Sequence, residues 1–237
     1  MDSILTALEA YELEWDGPVS YQSDSREAHE LAIRQLLDDD MAYPCGCSRN
    51  DLKDAPSGPL GAIYPGTCRQ GTDAAETAIR VRTTDKPIGF DDRLQGPQVQ
   101  RLESESGDFV VLRRDGLIAY HLAVVVDDHL QGITDIVRGI DLMDSTPRQI
   151  WLQQLLDCAA PGYAHIPIAT NAAREKLSKS CDAAAIDTTN PGPTLLAALE
   201  MLQQGPPDAL FGASVGEVHG WALEHWDLSK SAGKKQL

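Results

Sequence analysis

The sequence predicts an α/β fold interrupted by a small irregular insertion and closed by a short helical end. Three observations predict it. Segments of helical period and strand-like apolar runs are interleaved as far as about residue 156. From Tyr43 to about Gly71 that patterning loosens into Cys, Gly and Pro. Beyond residue 190 only helical patterns occur.

The first element is an amphipathic helix with Ile4, Leu5, Leu8 and Tyr11 at helical spacing, for which Asp2 or Ser3 can act as cap. Trp15-Asp16-Gly17-Pro18 turns the chain. A second helix is expected to start at Asp24, with Glu27 completing a capping box, and to run through Leu31, Leu36 and Leu37 to Asp38-Asp39-Asp40. Ala78 to Arg82 and Gly107 to Arg113 have strand composition, the latter ending in the turn Arg114-Asp115-Gly116. Two more strands are expected at Leu122–Val126 and Ile133–Val137, joined through Asp127-Asp128. Ser145-Thr146-Pro147 starts a helix, with a capping hydroxyl and then a proline at the first helical position. Helices around 194–203 and 215–225 follow, and Ser229 to Leu237 is expected to fray.

Composition restricts what such a fold can do. The 237 residues are 42% apolar but only 5% aromatic, enough for a sizeable, mostly aliphatic core. Thirty-six acidic residues against 20 basic ones leave a net charge of −16, a field that opposes non-specific attraction to nucleic acid or anionic membrane. The basic residues are scattered, with small groups only at Arg80-Val81-Arg82, Arg113-Arg114 and the C-terminal lysines. No apolar run reaches the roughly 18 residues of a membrane span, and no signal-peptide pattern opens the chain. Cysteines at this density suit a reducing compartment, with the cytoplasm as the default.

Two segments carry chemistry. Cys45-Gly46-Cys47 and Cys68 offer three thiols, one short of a tetrahedral zinc site. No histidine lies in the module, the nearest being His29, so Tyr64, Asp51 or a water would complete it; reduced cysteines in a small core are the alternative. Cys158 and Cys181 stand apart as packing residues. In Lys176-Leu177-Ser178-Lys179-Ser180, ammoniums and hydroxyls on one loop suit triphosphate oxygens, although a solvated surface loop has the same composition. Arg138, at a strand end with Tyr120 at the start of the neighbouring element, is either a carboxylate clamp or the partner of a nearby aspartate.

Val125-Val126-Asp127-Asp128, Arg138-Gly139 and Thr146-Pro147-Arg148-Gln149, in this order, resemble the glutamyl-tRNA synthetase branch of the class I aminoacyl-tRNA synthetases. Lys176 to Ser180 then falls where that family has its KMSKS-type loop, and the resemblance extends from Leu13-Glu14-Trp15-Asp16-Gly17-Pro18 to Trp226-Asp227-Leu228. The short ending, with Tyr43-Pro44-Cys45-Gly46-Cys47-Ser48-Arg49 and Tyr64-Pro65-Gly66-Thr67-Cys68-Arg69, looks like the subfamily that glutamylates queuosine. That resemblance implies a Rossmann-like parallel sheet and a ligase that activates glutamate with ATP and Mg²⁺. The glutamate is then transferred to queuosine in the anticodon loop of tRNA(Asp), and the enzyme acts as a monomer.

The resemblance also assigns residues. Tyr120 and Arg138 would hold glutamate, Lys179 would meet the ATP phosphates, Lys176 and Ser178 would shape the catalytic loop, and Cys45, Cys47, Tyr64 and Cys68 would hold structural zinc. Residues 1–42 and 106–190 would form the catalytic domain, 43–105 the zinc-bearing insertion and 191–237 a helical end without an anticodon-binding domain. The family's HIGH-type signature is not found, so the catalytic sheet is expected to be incomplete at its N-terminal side and the chain poorly stable or inactive alone. A fragment of an ordinary glutamyl-tRNA synthetase and a non-catalytic tRNA-binding remnant are the competing expectations.

Overall fold

The computed structural model describes residues 2–170, 176 and 185–233. Helix α1 (Asp2–Ala10) includes Asp2 and Ser3 in its own first turn, so Ser3 is a helical residue and not a cap. Gly17 turns the following loop with φ +72°, a value glycine adopts without strain. A 3₁₀ turn over Gln22–Ser25 precedes α2 (Arg26–Asp38), which buries His29, Ile33 and Leu36. The capping box expected at Asp24 is not formed: that residue lies within the 3₁₀ turn, and its backbone N–H bonds the Tyr21 carbonyl.

Strand β1 (Ala42–Cys45) follows, then the hairpin of β2 (Ser57–Gly58) and β3 (Gly61–Ala62), then β4 (Ala78–Val81). The hairpin of β5 (Pro87–Asp92) and β6 (Gly96–Arg101) had no strand signal, because Pro, Gly and Gln dilute its alternation. A single helical turn, α3 (Leu102–Glu105), leads to β7 (Phe109–Leu112). Strands β1, β4 and β7 pair antiparallel in that order, so the cysteine-bearing segment is tied into a sheet.

The largest departure from expectation is α4 (Tyr120–Leu130), where a strand was predicted over Leu122–Val126 and a turn at Asp127-Asp128. Three consecutive valines favour a strand locally, but Leu122, Ala123, Val125 and Val126 form one buried helical face. That face joins the core against residues of α2 and of α5 (Thr146–Leu155). His29 closes the α2–α4 contact with a 2.8 Å bond to the Asp127 carboxylate. The expected strand at 133–137 is β8 (Asp135–Gly139), two residues later.

Helix α5 begins as expected, with Pro147 in its first turn, although the Ser145 hydroxyl forms no cap bond. Strand β9 (Gly162–Ile166) runs parallel to β8 and touches β5 in parallel at Asp92–Tyr163. The second sheet is therefore mixed, in the order β6-β5-β9-β8, where an all-parallel sheet was expected. Helices α6 (Gly192–Met201) and α7 (Val215–His225) pack through Leu196, Leu199 and Val218, with a capping box between Ser214 and Glu217. The ending is not frayed as far as Gly233: Ser231 Oγ bonds the Leu202 carbonyl at 2.8 Å and the Gly233 N–H bonds that of Leu94 at 2.8 Å. Among the described residues no helix is long and apolar enough to cross a membrane.

Candidate functional site

Two centres are assembled. At the first, β1 ends on Cys45, and Cys47 and Cys68 converge with it, their three sulfurs all within 4.8 Å of one another. The Tyr64 hydroxyl stands 3.4 Å from Cys45 Sγ and 3.5 Å from Cys47 Sγ, and accepts the Cys68 N–H at 2.8 Å. Cys47 and Cys68 Sγ are 3.6 Å apart. Tetrahedral zinc–sulfur bonds of about 2.3 Å set sulfurs roughly 3.8 Å apart, so three thiols and a phenol fit that ion. Burial opposes ionisation of the Cys68 thiol, but hydrogen bonds from Tyr64, the Gly46 backbone and the neighbouring thiols outweigh it and bring its pKa to about 7. Burial pushes the Tyr64 hydroxyl upward.

Arg80 and Arg114, which the sequence presented only as minor basic groups, build this centre. Arg80 lies 4.1 Å over the Tyr64 ring and donates Nε–H to Cys45 Sγ at 3.3 Å. Arg114 Nη2 bonds the Gly46 carbonyl at 2.8 Å. Asp51 is not among the converging groups; its carboxylate accepts from the Ser48 N–H and hydroxyl at 2.7 and 2.8 Å. The module is anchored by Arg69, which clamps the buried Asp108 through Nε and Nη2 at 2.6 Å each. Asp108 also receives the Tyr43 hydroxyl at 2.5 Å and both Thr83 donors.

The second centre lies where β8 and β9 end. Arg138, on β8, donates Nε–H to His165 Nε2 at 3.0 Å and Nη2–H to Thr146 Oγ1 and Gln149 Oε1, each at 2.7 Å. Tyr120, 46% exposed at the first turn of α4, is near enough to interact electrostatically with the same guanidinium. None of the ion pairs among the described residues includes Arg138; its hydrogen-bond acceptors are neutral, and the Asp128 carboxylate acts on it only from beyond ion-pair distance. Burial lowers its pKa while leaving it a cation. Lys176 is brought to the same end of the sheet, with Nζ 2.5 Å from Asp141 Oδ2 and a backbone bridge to Thr170. Leu177, Ser178, Lys179, Ser180 and Cys181 lie outside the described residues.

An arginine offered at the carboxyl ends of parallel strands is where α/β sheets bind anionic ligands. Comparison with known proteins identifies the family. Residues 1–190 match the catalytic domain of the class I tRNA synthetases (E and Q). The chain belongs to that family. A protein of Pseudomonas fluorescens named glutamyl-Q tRNA(Asp) synthetase is 47% identical over 228 residues, 96% of this chain and 75% of that protein. A protein of the same name from Thiobacillus denitrificans is 48% identical over 228 residues, 95% of this chain and 76% of its own length.

Among solved structures, a glutamate tRNA ligase from Elizabethkingia meningosepticum superposes with a TM-score of 0.76 at 19% identity, covering 99% of this chain and 56% of that one. The glutamate-tRNA synthetase of Elizabethkingia anophelis gives 0.75 at 21%, covering 99% and 57%. This chain thus spans little more than half the length of either. At these identities the likeness shows the class I catalytic fold.

Proposed function

We propose that this member of the class I synthetase family activates glutamate with ATP and transfers it to queuosine in the anticodon loop of tRNA(Asp). The observation that carries the reading is Arg138. A guanidinium held by neutral partners beside an exposed tyrosine suits the side-chain carboxylate of glutamate and would discriminate against glutamine. The relatives that share nearly half of its residues over almost the whole chain carry the name of that activity.

On this reading Tyr120 and Arg138 hold glutamate. The α-carboxylate, already ionised at neutral pH, attacks the α-phosphorus of ATP, and pyrophosphate leaves. Lys179 meets the ATP phosphates and neutralises the leaving charge, with Lys176 and Ser178 shaping the loop and Mg²⁺ accompanying the nucleotide. Cys45, Cys47, Cys68 and the Tyr64 oxygen would hold zinc, which cross-links a module too small to stabilise itself by apolar burial. The expected division puts residues 1–42 and 106–190 in the catalytic part, 43–105 in the zinc-bearing insertion and 191–237 in a helical end. Strands β5 and β6, within 43–105, pair into the sheet of β8 and β9 and so belong with the catalytic part. The enzyme works as a monomer in the cytoplasm, where reduced thiols persist.

The test is glutamate-dependent ATP–pyrophosphate exchange with and without tRNA, followed by charging of tRNA(Asp) with its 3′ terminal adenosine removed. Exchange without tRNA, and glutamate attached only to queuosine-containing tRNA, are the expected results. Exchange that appears only with tRNA(Glu), or charging that needs the 3′ end, would replace this reading with an ordinary glutamyl-tRNA synthetase. Binding of tRNA(Asp) with no exchange would replace it with a non-catalytic remnant.

A further inference from the structure

Behind Arg138 stands a buried polar chain that the assignment of glutamate-binding residues does not include. His165, on β9, is completely buried, and Asp92, at the end of β5, is 3% exposed. His165 Nδ1 lies 2.6 Å from Asp92 Oδ2, and its Nε2 lies 3.0 Å from Arg138 Nε. Asp92 is itself held in place: its Oδ1 accepts the N–H groups of Leu94 and Gln95 at 3.0 and 2.9 Å, and the His165 N–H reaches both of its oxygens. Three strands thus contribute one residue each to a line running from carboxylate through imidazole to guanidinium.

Two neighbours meet His165 Nε2, Arg138 Nε at 3.0 Å and the Thr146 hydroxyl at 3.1 Å; the hydroxyl can donate or accept, so the arginine decides the arrangement of protons. Arg138 Nε can only donate, so His165 Nε2 must present a lone pair. The imidazole proton then sits on Nδ1, where Asp92 accepts it. A protonated or inverted imidazole would turn an N–H against an N–H. Burial first, and then the nearby Arg138 charge, push the His165 pKa down and outweigh the opposing pull of Asp92 and Asp141, so the ring stays neutral.

We propose that Asp92 and His165 are positioning residues that lock Arg138 for recognition of the glutamate side-chain carboxylate. The inference deepens the proposed function and rests on its assignment of Arg138 to glutamate. A direct Asp–Arg pair would also fix the guanidinium, but would neutralise the charge that attracts the ligand. Interposing a neutral imidazole orients the guanidinium without quenching it. With Nε and Nη2 engaged by His165, Thr146 and Gln149, the donors that remain for a carboxylate are on Nη1. Stacking of the Tyr163 ring on His165, at 6.2 Å between centroids and 16° between planes, keeps the imidazole in the plane this requires.

The test is ¹⁵N NMR of the full chain together with titration by L-glutamate, L-glutamine and Mg-ATP. The unsubstituted protein should show His165 neutral, protonated on Nδ1 and unprotonated on Nε2 at pH 7; a proton on Nε2 overturns the proposal. Asp92→Asn presents an amide N–H to Nδ1, so the proton should move to Nε2. The dissociation constant for glutamate should then rise at least about tenfold, while that for Mg-ATP changes less than about twofold. A flipped tautomer with unchanged glutamate affinity also overturns it.

Should Asp92→Asn fail to fold, His165→Gln and His165→Leu replace it. Gln can accept from Arg138 and donate to Asp92, and should retain most of the glutamate affinity that Leu loses; equal affinity in the two is a negative result. Arg138→Ala separates the two levels of the argument. If it leaves glutamate binding intact, the assignment of Arg138 itself fails. If it abolishes binding while the Asp92 and His165 variants bind normally, only the positioning role fails.

Discussion

Asp108 shows what a single residue contributes here. Its carboxylate is fully buried, and Arg69, Tyr43 and Thr83 all donate to it, joining the loop after Cys68 to β1, to the segment just after β4 and to the entry of β7. Burial alone would raise its pKa, but these donors outweigh that effect and hold the carboxyl below the usual carboxylate range. Asp108→Asn leaves the Arg69 guanidinium with only the more exposed Glu103 carboxylate, at 2.7 Å, as counter-charge, and breaking the buried side of such a network costs about 3 kcal/mol at neutral pH. A depressed pKa contributes stability that is present above the unfolded value of about 3.9 and disappears as the pH falls through the folded value. Melting curves of the two proteins should therefore be well separated at pH 7 and approach each other below about pH 4. A constant separation would assign the effect to packing and not to charge.

At the scale of elements, the entry to β7 depends on one glycine. Gly107 has φ +66°, and a Cβ there would lie 2.4 Å from the Tyr64 backbone nitrogen and 2.9 Å from its carbonyl oxygen. These contacts belong to the Tyr64–Gly107 bridge that seats the cysteine module against the sheet. Gly107→Ala combines left-handed strain with a clash against backbone that cannot rotate away, a cost of roughly 2 kcal/mol or more. A fall in Tm of about 4–8 °C is expected, with lower bound zinc in the purified protein. An unchanged Tm and metal content would show that the bridge is dispensable. Helix α4 teaches a related lesson. Its valine run is compatible with a strand, and only the buried faces of α2 and α5 select the helix.

For the molecule as a whole, the dominant quantity is the net charge of −16. Self-repulsion of this size opposes the compact state and is screened beyond about 8 Å at physiological salt. The Tm should rise as KCl is taken from 10 mM to 500 mM at pH 7, the contrary result being a flat or falling curve. The same field leaves a polyanionic substrate to be met by local clusters, such as the arginines around the cysteine module. Arg49, Arg113 and Arg114 line one cleft there together with Arg80, opposed only by Glu76 and Asp115 among the charged side chains.

The sequence by itself determined the helices α1, α2, α5, α6 and α7 and the strands β4 and β7, because each carries its own periodicity or start signal. Ordered motifs were enough to identify the family and to bring forward Arg138 and the three cysteines as candidates, since their order and spacing survive without coordinates. Only the tertiary structure decided that α4 is a helix, that β5, β6 and β9 exist, and that the main sheet is mixed. Their local signals are weak, and long-range burial and pairing select their conformations. It also decided which neighbours orient the candidate site residues. Arg80, Asp92, Asp108 and His165 meet their partners across 25 to 73 residues of chain, a separation at which spacing in the sequence carries no information.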